Sequence, residues 1–397
     1  MVLATVMDMT YTLVVQKLNT VLQTRDRNRQ GPAMIRLGKS EHPMAPSLLK
    51  SEGGFAWWYF DWVGACGTEV VIIPSFGLPF LPGYASAARA GVAPPCGRLP
   101  SLNVCVYKDG KSAFYLLQRY PDSDARWDSA GIRMGESTFT SRVEHGTRRF
   151  EAHLNCPVPG STERLTGTIR MSAPSIQTAA AQQPSDAEGV HAWTPLAVGP
   201  AEVHLAHGAT VLADGAGRAY HDRNGCSAPL DTLGIRHWVW GRVPFPDGEH
   251  IHYLLWPDRD DADPIWWEIE IGSDGKVRRH DVKVQQGSRK TAWFGMPWWP
   301  EHRLERADGS VTLLRTLNVL DDGPFYLRNS VQITRPDGAV GHGVGEIVYP
   351  SRVDRALERP LVRMAVHNLG RPNSPWLPLF CGPRSTRWRR LLSGAGP

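Results

Sequence analysis

An all-β fold is what this 397-residue sequence predicts, and three features carry the prediction. From Phe55 onward the chain breaks into short runs rich in aromatic and β-branched residues, separated by Gly, Pro, Asp and Asn at intervals of roughly 10 to 20 residues, the texture of strands and turns. Trp267-Glu268-Ile269-Glu270-Ile271 alternates apolar and charged residues with period two, which places successive side chains on opposite faces of a strand. Asp109-Gly110 separates two strand-like runs, and this dipeptide suits a two-residue hairpin because both of its positions tolerate positive φ. With 39 Gly, 32 Pro, 42% apolar and 21% charged residues, the composition fits a loop-rich β protein with a buried core rather than a helical bundle or a disordered chain.

In chain order, residues 1–50 begin with a short amphipathic pattern around Tyr11 to Leu22. They continue through a polar stretch with Arg25, Arg27, Arg29 and Pro43, read here as an extension outside the fold. A first lobe is placed at 51–230. Its runs include the continuous apolar Val70 to Pro74, then Ser101 to Tyr107 and Ser112 to Arg119 on either side of the hairpin dipeptide, so the lobe is antiparallel. Between Ser172 and Gly189 the chain turns to Ala, Gln, Ser, Pro and Asp, too little apolar surface to order itself, and a long mobile loop is expected. A second series of runs, at His237–Val243, His250–Trp256, Ile265–Ile271, Lys276–Val284, Val311–Val319 and Phe325–Ile333, defines a second lobe at 231–365. Glu268 and Glu270 share one face of their alternating strand and are expected to face solvent. Residues 366–397 are left as a C-terminal basic tail. No fixed repeat period argues for a solenoid.

Charge and cysteine usage exclude several function classes. The formal net charge of +5, from 44 basic and 39 acidic residues spread along the chain, is too mild and too mixed for nucleic-acid binding. The six cysteines lie far apart without CxxC or Cys/His ligand spacing, so they read as reduced, mostly buried thiols, and no metal or redox cofactor is expected. Gly341-His342-Gly343-Val344-Gly345 lacks the strand-to-helix context and the Lys-Ser/Thr of a phosphate loop, so no nucleotide is implied. The N-terminus has no basic leading region or cleavage signature, and no apolar run reaches the 18 or so residues of a membrane span. A cytoplasmic protein is expected. Its C-terminal run Arg384 to Leu392 sets basic groups around a Trp and two Leu, the make-up of a peripheral membrane contact, a frayed basic tail being the alternative. The 15 Trp outnumber both Tyr and Phe, and large rings are the usual lining of sites for lipophilic small molecules, although they also fill cores. Trp293, Trp298 and Trp299, with Pro297 and Pro300, read equally as a rigid loop closing a pocket or as simple packing. The oligomeric state is left open.

Five blocks carry a resemblance. Gly54 to Asp61 contains Trp57-Trp58-Tyr59-Phe60-Asp61. Pro100 to Tyr107 is a strand centred on Asn103, and Val190 to Leu196 contains His191, Trp193 and Pro195. Gly217 to Asn224 contains Tyr220, Asp222 and Asn224, and Leu320 to Arg328 contains Asp321, Pro324, Phe325, Tyr326 and Arg328. In this order they resemble the hydroxyneurosporene synthase family, the acyclic carotenoid 1,2-hydratases, whose wider lipocalin-like relatives include fungal decalin-forming Diels-Alderases. The resemblance spans residues 54 to about 365 and implies two lipocalin-like antiparallel barrel or sandwich lobes and a hydro-lyase working without a cofactor.

Hydrating an isolated trisubstituted alkene needs an acid to protonate it, stabilisation of a tertiary carbocation, and a delivered water. Asp222 is the candidate acid, because burial beside rings raises an Asp pKa and keeps its proton near neutrality. The competing reading is a structural Asp at a turn before the second lobe. Tyr220, His221 and Asn224 are able to hydrogen-bond a carboxyl group or a water there. His191 and Trp193 flank Ala192 and share a strand face. Trp193 would offer its ring to the cation and His191 would position or deprotonate the water. Trp57 with Tyr59, and Trp58 with Phe60, form two opposite-face pairs, one for the pocket and one for the core. Asp61 has the competing reading of a turn aspartate leaving its strand. Trp57, Trp58, Tyr59, Asp61, Asn224 and Trp240 are taken as substrate-binding residues. Two rival functions stay open, a cyclase or pericyclase folding a polyene in the same pocket and a non-catalytic carrier of a lipophilic ligand.

Overall fold

In the computed structural model, residues 34–38, 46–64, 66–178 and 189–392 are described. The amphipathic pattern at Tyr11 to Leu22 and most of the Ala/Gln segment lie outside the described residues. The described chain is nearly all strand, in two large sheets with a few short helices.

The first sheet has fourteen strands among the described residues. The site depends on three of them, β1 (Phe55–Gly64), β2 (His191–His207) and β3 (Thr210–Cys226), with β3 pairing antiparallel to both of the others. The second sheet has nine strands, among them β4 (Ile235–Phe245), β5 (Gly248–Pro257), β6 (Ile265–Gly272), β7 (Tyr326–Thr334) and β8 (Val340–Val348). Its two edge strands, Val277–Asp281 and Lys283–Gln286, are separated in sequence by Val282 alone, so the sheet curls into a nearly closed barrel. The two-lobed, lipocalin-like all-β architecture is present. At the expected hairpin, Asp109 has φ 52° and Gly110 φ 69°, both left-handed, and Pro100–Lys108 pairs with Lys111–Arg119.

Period-two alternation sorts side chains into three cores. On β1, Trp58, Phe60 and Trp62 enter the interior of the first lobe, whereas Phe55 and Tyr59 face the second lobe. On β5, Leu254 and Trp256 enter the barrel, whereas Ile251, Tyr253 and Leu255 face the first lobe. The core between the lobes is aromatic: Tyr59, Trp193, Tyr220, Trp238, Trp240, Tyr253 and Trp267 are all buried there. Each such ring removes about 150–250 Å² from water, worth roughly 25 cal/mol per Å². A buried ion pair nets little by comparison, because desolvation offsets its attraction. Ring burial, more than the Asp61–Arg242 pair across the gap, therefore holds the lobes together.

Three expectations need correction. The stretch from residue 366, read as a tail, returns to the first lobe: Val366–Asn368 runs parallel to Lys111–Arg119, and Gly382–Pro383 pairs with the same strand. Part of the N-terminal extension also joins the fold, Ile35–Leu37 lying parallel to β2. Glu268 does not face water. The wet face expected for β6 is the inner face of the barrel, where Glu268 is fully buried, accepts from Thr312 and pairs with Arg306, and Glu270 pairs with the same arginine. Of the Trp-Pro loop, Trp293 is exposed while Trp298 is buried. No described helix is long and apolar enough to cross a membrane, and in the short helix Arg387–Leu392 the Trp388 ring is exposed.

Candidate active site

Pairing register sets the site. On β3, Tyr220, Asp222 and Asn224 lie opposite Asp61, Tyr59 and Trp57 of β1, and Asn224 lies opposite Trp193 of β2. Alternate residues share a face, so three strands present one polar and aromatic patch to the second lobe. Asp222 sits at its centre, 3% exposed, mid-strand and not in the turn that the sequence left open. Its Oδ2 accepts from Trp193 Nε1 and from the Tyr220 hydroxyl, each at 2.8 Å, and its Oδ1 accepts from Asn224 Nδ2 at 2.7 Å.

These contacts oppose burial. Desolvation raises the Asp222 pKa, the Trp193 and Tyr220 hydrogen bonds lower it, and the balance stands at about 8. The carboxyl group therefore keeps its proton at neutrality, while the carboxylate left by proton transfer already has three donors in place. Because Asn224 donates to Asp222 through Nδ2, its Oδ1 is an acceptor. His191 Nε2, 2.8 Å away, must then be the donor. That assigns the tautomer and leaves Nδ1 as a buried acceptor without a partner among the described residues. Burial pushes the His191 pKa down to about 4, so the ring is neutral. Its ring lies 5.5 Å from Phe55 and 5.7 Å from Trp57, centroid to centroid.

The second lobe answers with its own patch. Trp240 of β4 lies opposite Glu346 of β8, which lies opposite Arg328 of β7. The Trp240 ring is 5.2 Å from Tyr59 and 5.7 Å from Tyr220, and Tyr253 meets Trp193 edge-on at 5.3 Å. Arg242, fully buried, donates to Asp61 through Nε at 2.6 Å and to Glu249 at 3.1 Å. Asp61 also accepts from the Tyr59 hydroxyl at 2.9 Å, and that hydroxyl accepts from Arg328 at 3.0 Å. Trp238 donates to Glu346 at 3.1 Å. Burial raises the Glu346 pKa and pushes Glu69 up to about 7.

The structure thus brings together Asp222, His191, Trp193, Tyr220, Asn224, Trp57, Tyr59, Asp61 and Trp240. Trp58 is not among them. Alternation along β1 turns it into the first-lobe core, where it meets Trp127, Phe150 and His221, so its assignment to substrate binding is corrected. His221 lies on that same inner side, bonded to the Tyr59 carbonyl and to Ser141. Asp61 is mid-strand and ion-paired, not a turn aspartate. Sequence reasoning missed Arg242, Glu249, Tyr253, Trp238 and Glu346. A buried arginine in an otherwise apolar strand, Arg242 after Trp240-Gly241, was the available signal. Among the described residues no group of His, Cys, Asp and Glu could hold a metal ion.

A family model described as Carotenoid hydratase CrtC matches residues 72–372. The chain belongs to the carotenoid hydratase family. The matched span takes in β2 through β8 and begins after β1. No curated protein matches the sequence significantly. Among solved structures, this carotenoid hydratase family member is similar to an AttH protein from Nitrosomonas europaea, with a TM-score of 0.54 at 16% identity over 80% of this chain and 99% of that one. It is also similar to CghA with Sch210972, with a TM-score of 0.52 at 14% identity over 81% of this chain and 97% of that one. Both likenesses show the fold.

Proposed function

We propose that this hydratase family member adds water to the terminal C=C of an acyclic carotenoid or related isoprenoid by acid catalysis centred on Asp222. The alkene π electrons take the Asp222 proton at the less substituted carbon, leaving a tertiary cation at the other. Trp193, Trp57 and Trp240 offer ring faces to that cation, each worth roughly 1–2 kcal/mol when desolvated. A water held by the His191 Nδ1 lone pair bonds to the cation. Its surplus proton returns to the Asp222 carboxylate, which at a pKa of about 8 is a far better base than His191 at about 4. The sum is alkene plus water to tertiary alcohol, with no change of oxidation state to supply. The observation that carries this reading is a buried Asp222, its pKa raised by desolvation, with three donors already set for its conjugate base.

The test is incubation of the purified protein with lycopene or neurosporene in ¹⁸O-labelled water. Label in a tertiary alcohol is expected, and Asp222→Asn should lower the rate by about 10²–10⁴-fold with ligand binding retained. Isomerisation without label would make the protein a cyclase. Binding without any chemical change would make it a carrier.

A further inference from the structure

Arg328 is fully buried, yet only one of its three guanidinium nitrogens has a hydrogen-bond partner among the described residues. Nη1 donates to the Tyr59 hydroxyl, while Nε and Nη2 have none. These two nitrogens form one edge of the planar guanidinium, with their N–H bonds parallel, the fork that a carboxylate fills with both oxygens. The neighbouring acids do not fill it. Glu346, directly opposite in register, is engaged by Trp238. Asp61 is taken by Arg242 and Tyr59. Glu69 forms no ion pair with Arg328 and itself keeps an unpartnered Oε2. A buried guanidinium with an open fork is costly unless a partner arrives. Its one filled contact, Tyr59, lies 6.1 Å in ring centroids from Tyr220, which donates to Asp222, so one pair of adjacent tyrosines connects the arginine to the acid.

We infer that the isoprenoid preferred by this site carries a carboxylate close to the reacting olefin, and that Arg328 grips it through Nε and Nη2. The inference rests on the Asp222-centred reading for the position of the olefin. A pure hydrocarbon would leave the fork empty. A charge-assisted pair of this kind separates acid from hydrocarbon by about 10- to 100-fold in affinity.

Binding is measured by quenching of tryptophan fluorescence with three probes of one carbon skeleton: geranic acid, geranial and the parent hydrocarbon, each corrected for its octanol–water partition. Wild type should bind geranic acid at least tenfold more tightly than the other two. Arg328→Met should erase that preference, lowering affinity for geranic acid at least tenfold more than affinity for the hydrocarbon, and Arg328→Lys, which keeps the charge without the fork, should restore it only in part. If the hydrocarbon or the aldehyde binds wild type as tightly as the acid, the inference is overturned. An equal loss for all three probes in a folded Arg328→Met would also overturn it, since the arginine would then be structural. Should that variant fail to fold, the wild-type comparison decides alone. Because no turnover is read, failure to hydrate would sink the hydratase reading, while the affinity comparison would still decide whether Arg328 grips a carboxylate.

Discussion

At the scale of the residue, the account turns on opposing influences at one carboxyl group. Burial alone would hold the Asp222 proton too tightly to give up, and the hydrogen bonds from Trp193 and Tyr220 pull its pKa back to about 8. Removing one donor should show this directly. Trp193→Phe keeps a ring and loses the N–H, so the alkaline limb of the rate profile, expected near pH 8, should move to higher pH as the rate falls. A limb that stays in place, or moves to lower pH, would mean that Trp193 does not act through Asp222. The members of this network on the first lobe, His191, Trp193, Tyr220, Asp222 and Asn224, were legible in the sequence because they fall in two short blocks whose alternation puts them on one face. Arg242 and Glu346 were not, because their contact with the site is made across two lobes and no local pattern records which faces dock.

At the scale of the element, register does the positioning, and one close approach fixes it. β8 runs so near β4 that a Cβ on Gly343 would lie 2.0 Å from the Arg242 carbonyl oxygen and 2.8 Å from the Val243 Cα. Backbone cannot yield as a flexible side chain can, so only glycine fits there. Gly343→Ala should cost about 1–3 kcal/mol, read as a lowered midpoint in urea unfolding. It should also weaken catalysis by displacing Arg242 from Asp61. An unchanged midpoint would show that the strands are not so constrained. The Gly-rich run containing Gly343 lies inside β8, and its purpose is visible only with β4 beside it. Glu268 teaches the complementary lesson. Strict alternation on β6 reads as one dry and one wet face in an isolated strand, whereas barrel closure puts the charged face inside, where Arg306 and Thr312 satisfy it.

At the scale of the whole molecule, two opposite populations of buried groups set the response to pH. His191, His221, His237, His250, His252, His302 and His367 are all held below the ordinary value of 6.5, chiefly by burial. The unfolded chain binds protons at these positions from about pH 6.5 downward while the folded chain does not, so stability is lost as pH falls through that range. Asp222 and Glu69 are raised to about 8 and about 7. They ionise in the unfolded chain near pH 4 and in the folded chain only at 7 to 8, so their contribution is fully present below about pH 4 and is lost progressively as pH rises from there, the loss being complete only at about 7 to 8. Above 6.5 only the carboxyl groups act, and below it the more numerous histidines prevail. Thermal stability should therefore peak near pH 6.5 and decline on both sides, with Asp222→Asn flattening the alkaline decline. A melting temperature still rising from pH 6.5 to 8 would contradict this assignment. The two-lobed fold itself was legible from strand spacing and turn chemistry, whereas the return of residues 366–392 to the first lobe was not, since Val366–Asn368 is too short to announce itself as a strand.

By this account Asp222 carries its proton at neutral pH, buried against the aromatic core between the lobes. Infrared difference titration, comparing wild type with Asp222→Asn, reads that proton through the stretch of a protonated carboxyl C=O. The account expects a band present at neutrality, absent from the variant, and titrating away at about pH 8. A spectrum in which no such band distinguishes the two proteins at neutral pH would show Asp222 already ionised and would contradict the account.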